Sequence, residues 1–227
     1  MKRFDTVICG GTVVTAADSS ECDVGIKDGR VAALGLGLDG ADRVIDATGK
    51  LVMPGAVEGH CHIEQQSSVG GVMSADDFFT GTRSAVFGGT TTTLSFAQQV
   101  RGQSLRQSVQ EYLECAQPKA VIDYGFHLII SDPTEQVLGQ DLPALVADGM
   151  TSFKVYMTYD ALQLNDRQML DVLCTARRCG ALMMVHAENH DMIRWLTDRL
   201  LSGGYVAPKY HAISHADIAE GEATHRA

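Results

Sequence analysis

Four residues combine reactive chemistry with suggestive placement: His60 and His62 in GAVEGHCHIEQ, Lys154 in TSFKVYMTY, and His186 in ALMMVHAE. Side chains two apart on a strand share a face, so an H-x-H pair can hold one metal from one side. Such a pair can equally be two hydrogen-bonded residues of a polar turn. Its position after the apolar run LVMPGAV favours ligands. Lys154 is flanked by Phe153, Val155, Tyr156 and Met157. A buried ammonium there is costly unless it is paired, neutralised or modified. The plainer alternatives are an edge position or an amine that reaches the rim. The histidine-bearing runs on either side in sequence favour a site. His186 stands at a strand end, where a histidine is either hydrogen-bonded structure or a ligand. His127, in DYGFHLII, reads as structural. His190, His211, His215 and His225 fall in helical or loop segments and carry no assigned role.

The elements that must deliver these residues fall into two parts. Residues 1–53 read as short strands. DTVICGGTVVT is rich in Val and Thr, DVGIKDGRVAALG carries the Asp-Gly of a hairpin turn, and RVIDATGKLVMPG repeats the pattern with Thr-Gly as its turn. This predicts the N-terminal part of a small β-sandwich. Over 54–227, apolar strands alternate with amphipathic helices: a helix over 76–87 closed by Gly88-Gly89, one capped by Ser104, one ending at Gly149, one at Gly180, one at Gly203-Gly204, and a last through HADIAEGEATHRA. About five βα units of this kind predict an α/β fold with parallel strands. They fit an open doubly wound sheet or part of a (β/α)8 barrel. No G-x-x-x-x-G-K-[ST] occurs, and the G-x-G-x-x-G match GLGLDG at 35–40 lies within the β unit and not after the first strand of the βα repeats, which disfavours a nucleotide-binding sheet. A complete barrel takes at least about 200 residues; only about 170 follow the β unit, so a partial barrel is expected. Its C-terminal rim is where such folds carry their sites. Three separate strand ends would deliver His, Lys and His to that rim.

Composition narrows the partners. The chain has 227 residues, 45% hydrophobic and 20% charged, the range of an ordinary globular protein. A formal net charge of -10 opposes nucleic acid and anionic membranes as partners. No apolar run approaches a membrane span, and the start MKRFDTVICGGTVV, broken by Gly10 and Gly11, does not read as a signal peptide. Six scattered cysteines with no C-x-x-C pair are expected to be reduced, in the cytoplasm.

Taken in order, VMPG, GHCHIEQ, RSAVFGGTTT, TSFKVYMTY and MVHAEN resemble the dihydropyrimidinase / D-hydantoinase family of the amidohydrolase superfamily, with allantoinase and dihydroorotase as cousins. The resemblance covers nearly the whole chain and corresponds to the N-terminal half of the family. It implies that His60 and His62 hold the first of two divalent metal ions, usually zinc. It implies that Lys154 is N-carboxylated and bridges both metals, and that His186 ligates the second. Tyr159 would then be catalytic and substrate-binding, donating a hydrogen bond to the substrate carbonyl oxygen. The implied reaction is metal-assisted opening of a cyclic amide or ureide, a 5,6-dihydropyrimidine or a hydantoin, to an N-carbamoyl amino acid. The family form is expected to be a homo-oligomer. Two departures stand out: Glu58 where the family usually has Asp, and YHAISHA where it tends to read Y-H-x-x-S-R-P. The family's later-strand histidine and catalytic aspartate have no counterpart in these 227 residues, so a truncated form with little turnover by itself is expected. A non-catalytic scaffold relative is the alternative, disfavoured because His60, His62, Lys154 and His186 are all kept. An allantoinase or dihydroorotase type is another. Dihydroorotate would call for a cationic clamp, and Arg83 and Arg101, the nearest arginines to the H-x-H, read as helix or loop residues.

Overall fold

The computed structural model describes residues 3–66 and 71–227. The chain divides into two compact units, Met1–Ala56 and Val57–Ala227. The first holds β1 (Phe4–Cys9), β2 (Thr12–Val14), β3 (Ser19–Glu21), β4 (Asp23–Lys27), β5 (Arg30–Gly35), β6 (Ala41–Asp46) and β7 (Leu51–Val52). They form two sheets, of order β5-β4-β1-β6 and β3-β2-β7. Asp28 and Gly29 join β4 to β5 with φ of 50° and 71°. A two-residue hairpin turn with both residues at positive φ matches the strand twist, and Asp-Gly tolerates it. Gly25 is required by packing, since a Cβ there would lie 2.6 Å from the Phe4 ring.

The Thr-Gly segment is not the hairpin that its pattern predicts. β6 runs parallel to β1, and β7 runs parallel to β2 in the other sheet. Asp46 ends β6 by accepting from the Thr48 amide at 2.9 Å and its hydroxyl at 2.6 Å. That side-chain turn redirects the chain from one sheet to the other. Alternation of apolar residues fits either outcome, because it records which face is buried and not which strand lies alongside.

The second unit is built on β8 (Ala56–Glu58), β9 (Thr90–Gln98), β10 (Asp123–Ile129), β11 (Ser152–Tyr156) and β12 (Leu182–His186), in the sheet order β12-β11-β10-β9-β8. Pairing is parallel from β9 to β12. Between and after the strands run α1 (Phe78–Phe87), α2 (Leu105–Ala116), α3 (Leu142–Ala147), α4 (Asp166–Cys179), α5 (His190–Ser202), α6 (His211–Ser214) and α7 (Asp217–Arg226). Five sequential strands with helical crossovers make a partial (β/α)8 barrel. Helix ends are set by side-chain caps: Asp77 and Thr80 close a reciprocal box on α1, Asn165 and Gln168 one on α4, and Ser104 caps α2. Gly180 ends α4 in the left-handed conformation, φ 68°. The helix expected before Gly149 starts earlier, with a π-helical turn at Val137–Asp141. Pro143 cannot donate an amide hydrogen into a preceding turn, so α3 begins around it. The π turn also delivers buried Asp141, whose Oδ2 accepts from the Leu105 amide at 3.0 Å at the start of α2.

Strand alternation sorts the core. Phe126, Leu128, Phe153 and Val155 pack in one large cluster together with helix residues such as Leu105, Val109, Leu142 and Val172. Phe96, Ile129 and Tyr156 belong to the opposite face, with Leu162. Register aligns Gln98, Ile129, Lys154 and Met184 across four strands, with Tyr156 beside His186 one step further on.

Two outcomes follow from this packing. Leu128→Ala removes a fully buried side chain from the helix-facing layer, and urea unfolding should show a loss of about 2–5 kcal/mol. In the first unit, Asp23 accepts from the amides of Gly10 at 3.1 Å and Leu38 at 3.0 Å, and these bonds hold its carboxyl below the usual carboxylate range. A depressed folded pKa gives stability that is complete above the unfolded value of about 4 and lost as pH falls through the folded one. Asp23→Asn should therefore lower the melting temperature at pH 7, and that difference should shrink below about pH 4.

Candidate metal centre

His60, His62, Lys154, Tyr159 and His186 all line one cavity of about 700 Å³, with Gln65, Gln98, Tyr156, Leu162 and His211 among its other walls. The strand period accounts for part of this. Phe153 and Val155 face the helices, so Lys154 and Tyr156 must face the opposite side. Met183 and Val185 do the same for β12 and leave His186 on the cavity face.

The H-x-H pair is positioned differently from expectation. β8 ends at Glu58, so His60 and His62 lie beyond the strand, in a segment tied down by side chains. Glu58 Oε1 accepts from the His60 amide at 2.9 Å, and the Cys61 amide donates to the Leu94 carbonyl at 3.3 Å. Phe96 forms an aromatic floor: its ring centroid lies 4.6 Å from His60, 4.7 Å from His62 and 5.0 Å from His127. His127 is buried and both of its ring nitrogens are engaged. Nε2–H donates to the Gly59 carbonyl at 2.9 Å, and the Ser152 hydroxyl meets Nδ1 at 2.5 Å. β10 thus holds the backbone immediately before His60. Glu64, at φ 48°, anchors the other end of the loop: its Oε2 accepts from the Phe78 amide at 3.0 Å, and its Oε1 pairs with Lys119.

Charge in the cavity is arranged around nitrogen donors. Lys154 is 8% exposed. Burial pushes its pKa down, and among the described residues its Nζ makes no hydrogen bond or ion pair. The Tyr156 ring lies 5.4 Å from Nζ. Burial also lowers the pKa of His60, helped by the positive charges of Lys154, His62 and His127 and opposed by Glu58. His186 donates from Nε2 to Glu188 at 2.6 Å, so its neutral ring carries the lone pair on Nδ1. Burial pushes the Tyr156 phenol up to about 12, and raises that of Tyr159 with help from Glu188. Both hydroxyls therefore stay protonated and can donate. Tyr159 is not on the same strand as Lys154: β11 ends at Tyr156, and Tyr159 sits in a turn beyond it with φ 70°.

Among the described residues, no three His, Cys, Asp or Glu side chains converge on one metal position. The donor set nevertheless fits divalent metal once Lys154 is counted. It offers the imidazoles of His60, His62 and His186 and a buried amine whose charged form is disfavoured and which has no carboxylate partner. Sequence reasoning missed Tyr156, Gln65, Gln98 and His211 as cavity residues. Tyr156 was accessible by counting two from Lys154; the glutamines and His211 gave no signal.

Comparison with known proteins supports the family and the fold. The model of the amidohydrolase family matches residues 51–207. D-hydantoinase of Geobacillus stearothermophilus is 46% identical over 225 residues, covering 97% of this chain and 47% of that protein. D-phenylhydantoinase of Escherichia coli strain SE11 is 40% identical over 223 residues, covering 97% and 48%. A solved D-hydantoinase superposes with TM-score 0.94 at 44% identity, covering 98% of this chain and 48% of that one. Dihydropyrimidinase from Brevibacillus agri NCHU1002 superposes with TM-score 0.92 at 42% identity, covering 97% and 48%. The chain spans about half the length of the curated relatives it matches.

The clamp on Gly59 can be tested without any metal. His127→Phe keeps a ring on Phe96 but removes the bonds to the Gly59 carbonyl and the Ser152 hydroxyl. Chemical denaturation should register a loss of about 1–3 kcal/mol; an unchanged midpoint would show that the clamp does not hold the loop.

Proposed function

This chain belongs to the amidohydrolase family, and we propose on that premise that it forms the metal-holding half of a cyclic-amide hydrolase. The observation that carries this reading is the meeting of His60, His62, Lys154, Tyr159 and His186 on one cavity. The substrate would be a 5,6-dihydropyrimidine or a hydantoin, opened at the ring C–N bond to an N-carbamoyl amino acid. The printed names of the relatives, D-hydantoinase, D-phenylhydantoinase and dihydropyrimidinase, support that substrate class.

His60 and His62 would hold one divalent cation, zinc by the character of the donors, and His186 a second. Lys154 would join the two. Its neutral amine is favoured by burial, so it can attack carbon dioxide, form an N–C bond and release a proton. The resulting carbamate is an anion suited to two cations, which removes the cost of a buried ammonium. The metals would supply Lewis acidity toward the ring carbonyl and lower the pKa of water, providing a nucleophile at neutral pH. The chain's own part is to orient and to donate. Phe96 fixes the planes of His60 and His62, Tyr156 stacks on His186 at 5.4 Å, and Tyr159 offers a protonated phenol to the carbonyl oxygen as charge develops on it.

Zinc content and ring opening test this separately. Zinc measured in the purified chain should fall sharply in Lys154→Met and His60→Ala, with folding checked by circular dichroism. Ring opening is best followed in a chimera continuing Ala227 with the second half of the Geobacillus stearothermophilus relative. There, Lys154→Met should lose at least about 10³-fold in turnover of hydantoin or dihydrouracil, and Tyr159→Phe about 10²–10³-fold with zinc retained. Full turnover in Lys154→Met would overturn the reading.

A further inference from the structure

Behind His62 lies a chain of two amides that the hydrolase reading does not use. His62 Nδ1 meets Gln65 Oε1 at 2.5 Å, and Gln65 Nε2 donates to Gln98 Oε1 at 3.3 Å. Gln65 is 8% exposed, and its backbone is clamped at both polar groups. Its amide donates to Ser74 Oγ at 3.0 Å, and its carbonyl accepts from the Ser74 amide at 2.9 Å. Gln98 ends β9, in register with Ile129 of β10, so the far end of the chain rests on the sheet.

A carboxamide has one donating end and one accepting end. With its NH2 spent on Gln98, Gln65 can only turn its carbonyl oxygen to the ring. A carbonyl cannot donate, so His62 Nδ1 must carry the hydrogen and the lone pair must sit on Nε2. A histidine whose second nitrogen is held this way has a fixed ring orientation and a more basic ligating nitrogen. We propose that Gln65, locked by Gln98, is a positioning residue that fixes His62 as its Nδ1–H tautomer and so sets its strength toward a divalent cation. The part concerning the cation rests on the hydrolase reading; the tautomer lock does not. Reversing both amides would run the hydrogens from Gln98 toward the ring, place hydrogen on Nε2 and spoil His62 as a ligand through that nitrogen. The two arrangements make opposite predictions.

The tautomer is read directly by ¹⁵N NMR of the metal-free chain at a pH where His62 is neutral. The lock requires a protonated Nδ1 and an unprotonated Nε2. Gln65→Met fills the same space without an acceptor. It should release His62 toward the Nε2–H form and weaken zinc about 10-fold in competition with a chelator, while leaving the thermal midpoint nearly unchanged. Gln98→Met should shift the tautomer in the same direction but less, because Gln65 stays in place and is only freed to rotate. Gln65→Glu keeps an oxygen facing Nδ1–H and should retain both the tautomer and zinc affinity. An Nε2–H signature in the unsubstituted chain, or a tautomer unmoved by Gln65→Met, overturns the lock. A tautomer that moves with no change in zinc affinity overturns its link to metal holding. If the unsubstituted chain binds no zinc, the hydrolase reading fails, and the NMR result still decides the lock.

Discussion

Lys154 lies between Phe153 and Val155, both fully buried against helices, and β11 gives it no choice but the opposite face. There it meets a tyrosine ring and imidazoles, and no carboxylate among the described residues. Removing an ammonium from water costs several kcal/mol even after relaxation, and one cation–π contact returns about 0.5–2 kcal/mol of that. Burial accordingly moves its pKa down, toward the neutral amine. The strand's hydrophobic alternation therefore does two things at once. It secures β11 in the core, and it places Lys154 where burial disfavours its charged form.

The rest of the cavity holds other nitrogen donors in fixed orientations around that amine. Phe96 supplies a surface on which three imidazoles lean, and each imidazole has at least one polar group settled elsewhere. His60 gives its amide to Glu58, His62 gives Nδ1 to Gln65, and His127 gives both nitrogens to Gly59 and Ser152. His186 gives Nε2 to Glu188. A ring with one nitrogen held by such a bond, as in His62 and His186, has its orientation fixed in advance. A similar economy holds at the sheet's end, where buried Gln99 accepts from the amides of Ser131 and Asp132 and donates to the carbonyls of Gln103 and Asp132. It satisfies backbone groups that the end of pairing between β9 and β10 would otherwise leave bare.

What the sequence disclosed follows from periodicity and local chemistry. Alternating runs separated by helical patterns marked five βα units. Ser104, Gly180 and the Asp28-Gly29 turn announced themselves because caps and turns are short-range effects. Lys154 and His186 stood out as polar residues on otherwise apolar strands. Other features depend on pairs far apart in sequence. Gln65 and Gln98 meet through side chains, and neither breaks a pattern. The parting of β6 and β7 into different sheets depends on Asp46 accepting from the amide and hydroxyl of Thr48. His60 and His62 look like a strand continuation, but Glu58 captures the His60 amide and ends the pairing. In each case a side chain competes with the backbone for a hydrogen bond, and periodicity is blind to that competition.

Tyr159 shows how the same competition can be turned to use. A tyrosine at φ 70° sits in a region where a non-glycine residue costs on the order of 1–3 kcal/mol and survives only where its surroundings over-determine it. Here they do. Its carbonyl accepts from the amides of Leu162 at 2.9 Å and Gln163 at 2.8 Å, and Leu162 is buried against Phe96, Ile129 and Tyr156. Arg101, from the turn after β9, binds the carbonyls of Ala161 at 3.0 Å and Gln163 at 2.8 Å. Three amide or guanidinium hydrogen-bond sets and one core anchor thus close the turn around the strained residue. An unstrained extended residue would have continued β11 and alternated its side chain away. The left-handed bend instead brings a second phenol to the face already occupied by Tyr156, with its ring 5.8 Å from Tyr156 and 5.2 Å from His186. Tyr156 is the more deeply buried of the two, stacked on His186, and serves as support. Tyr159, at the cavity wall with a hydroxyl that keeps its proton, is the one placed to donate outward.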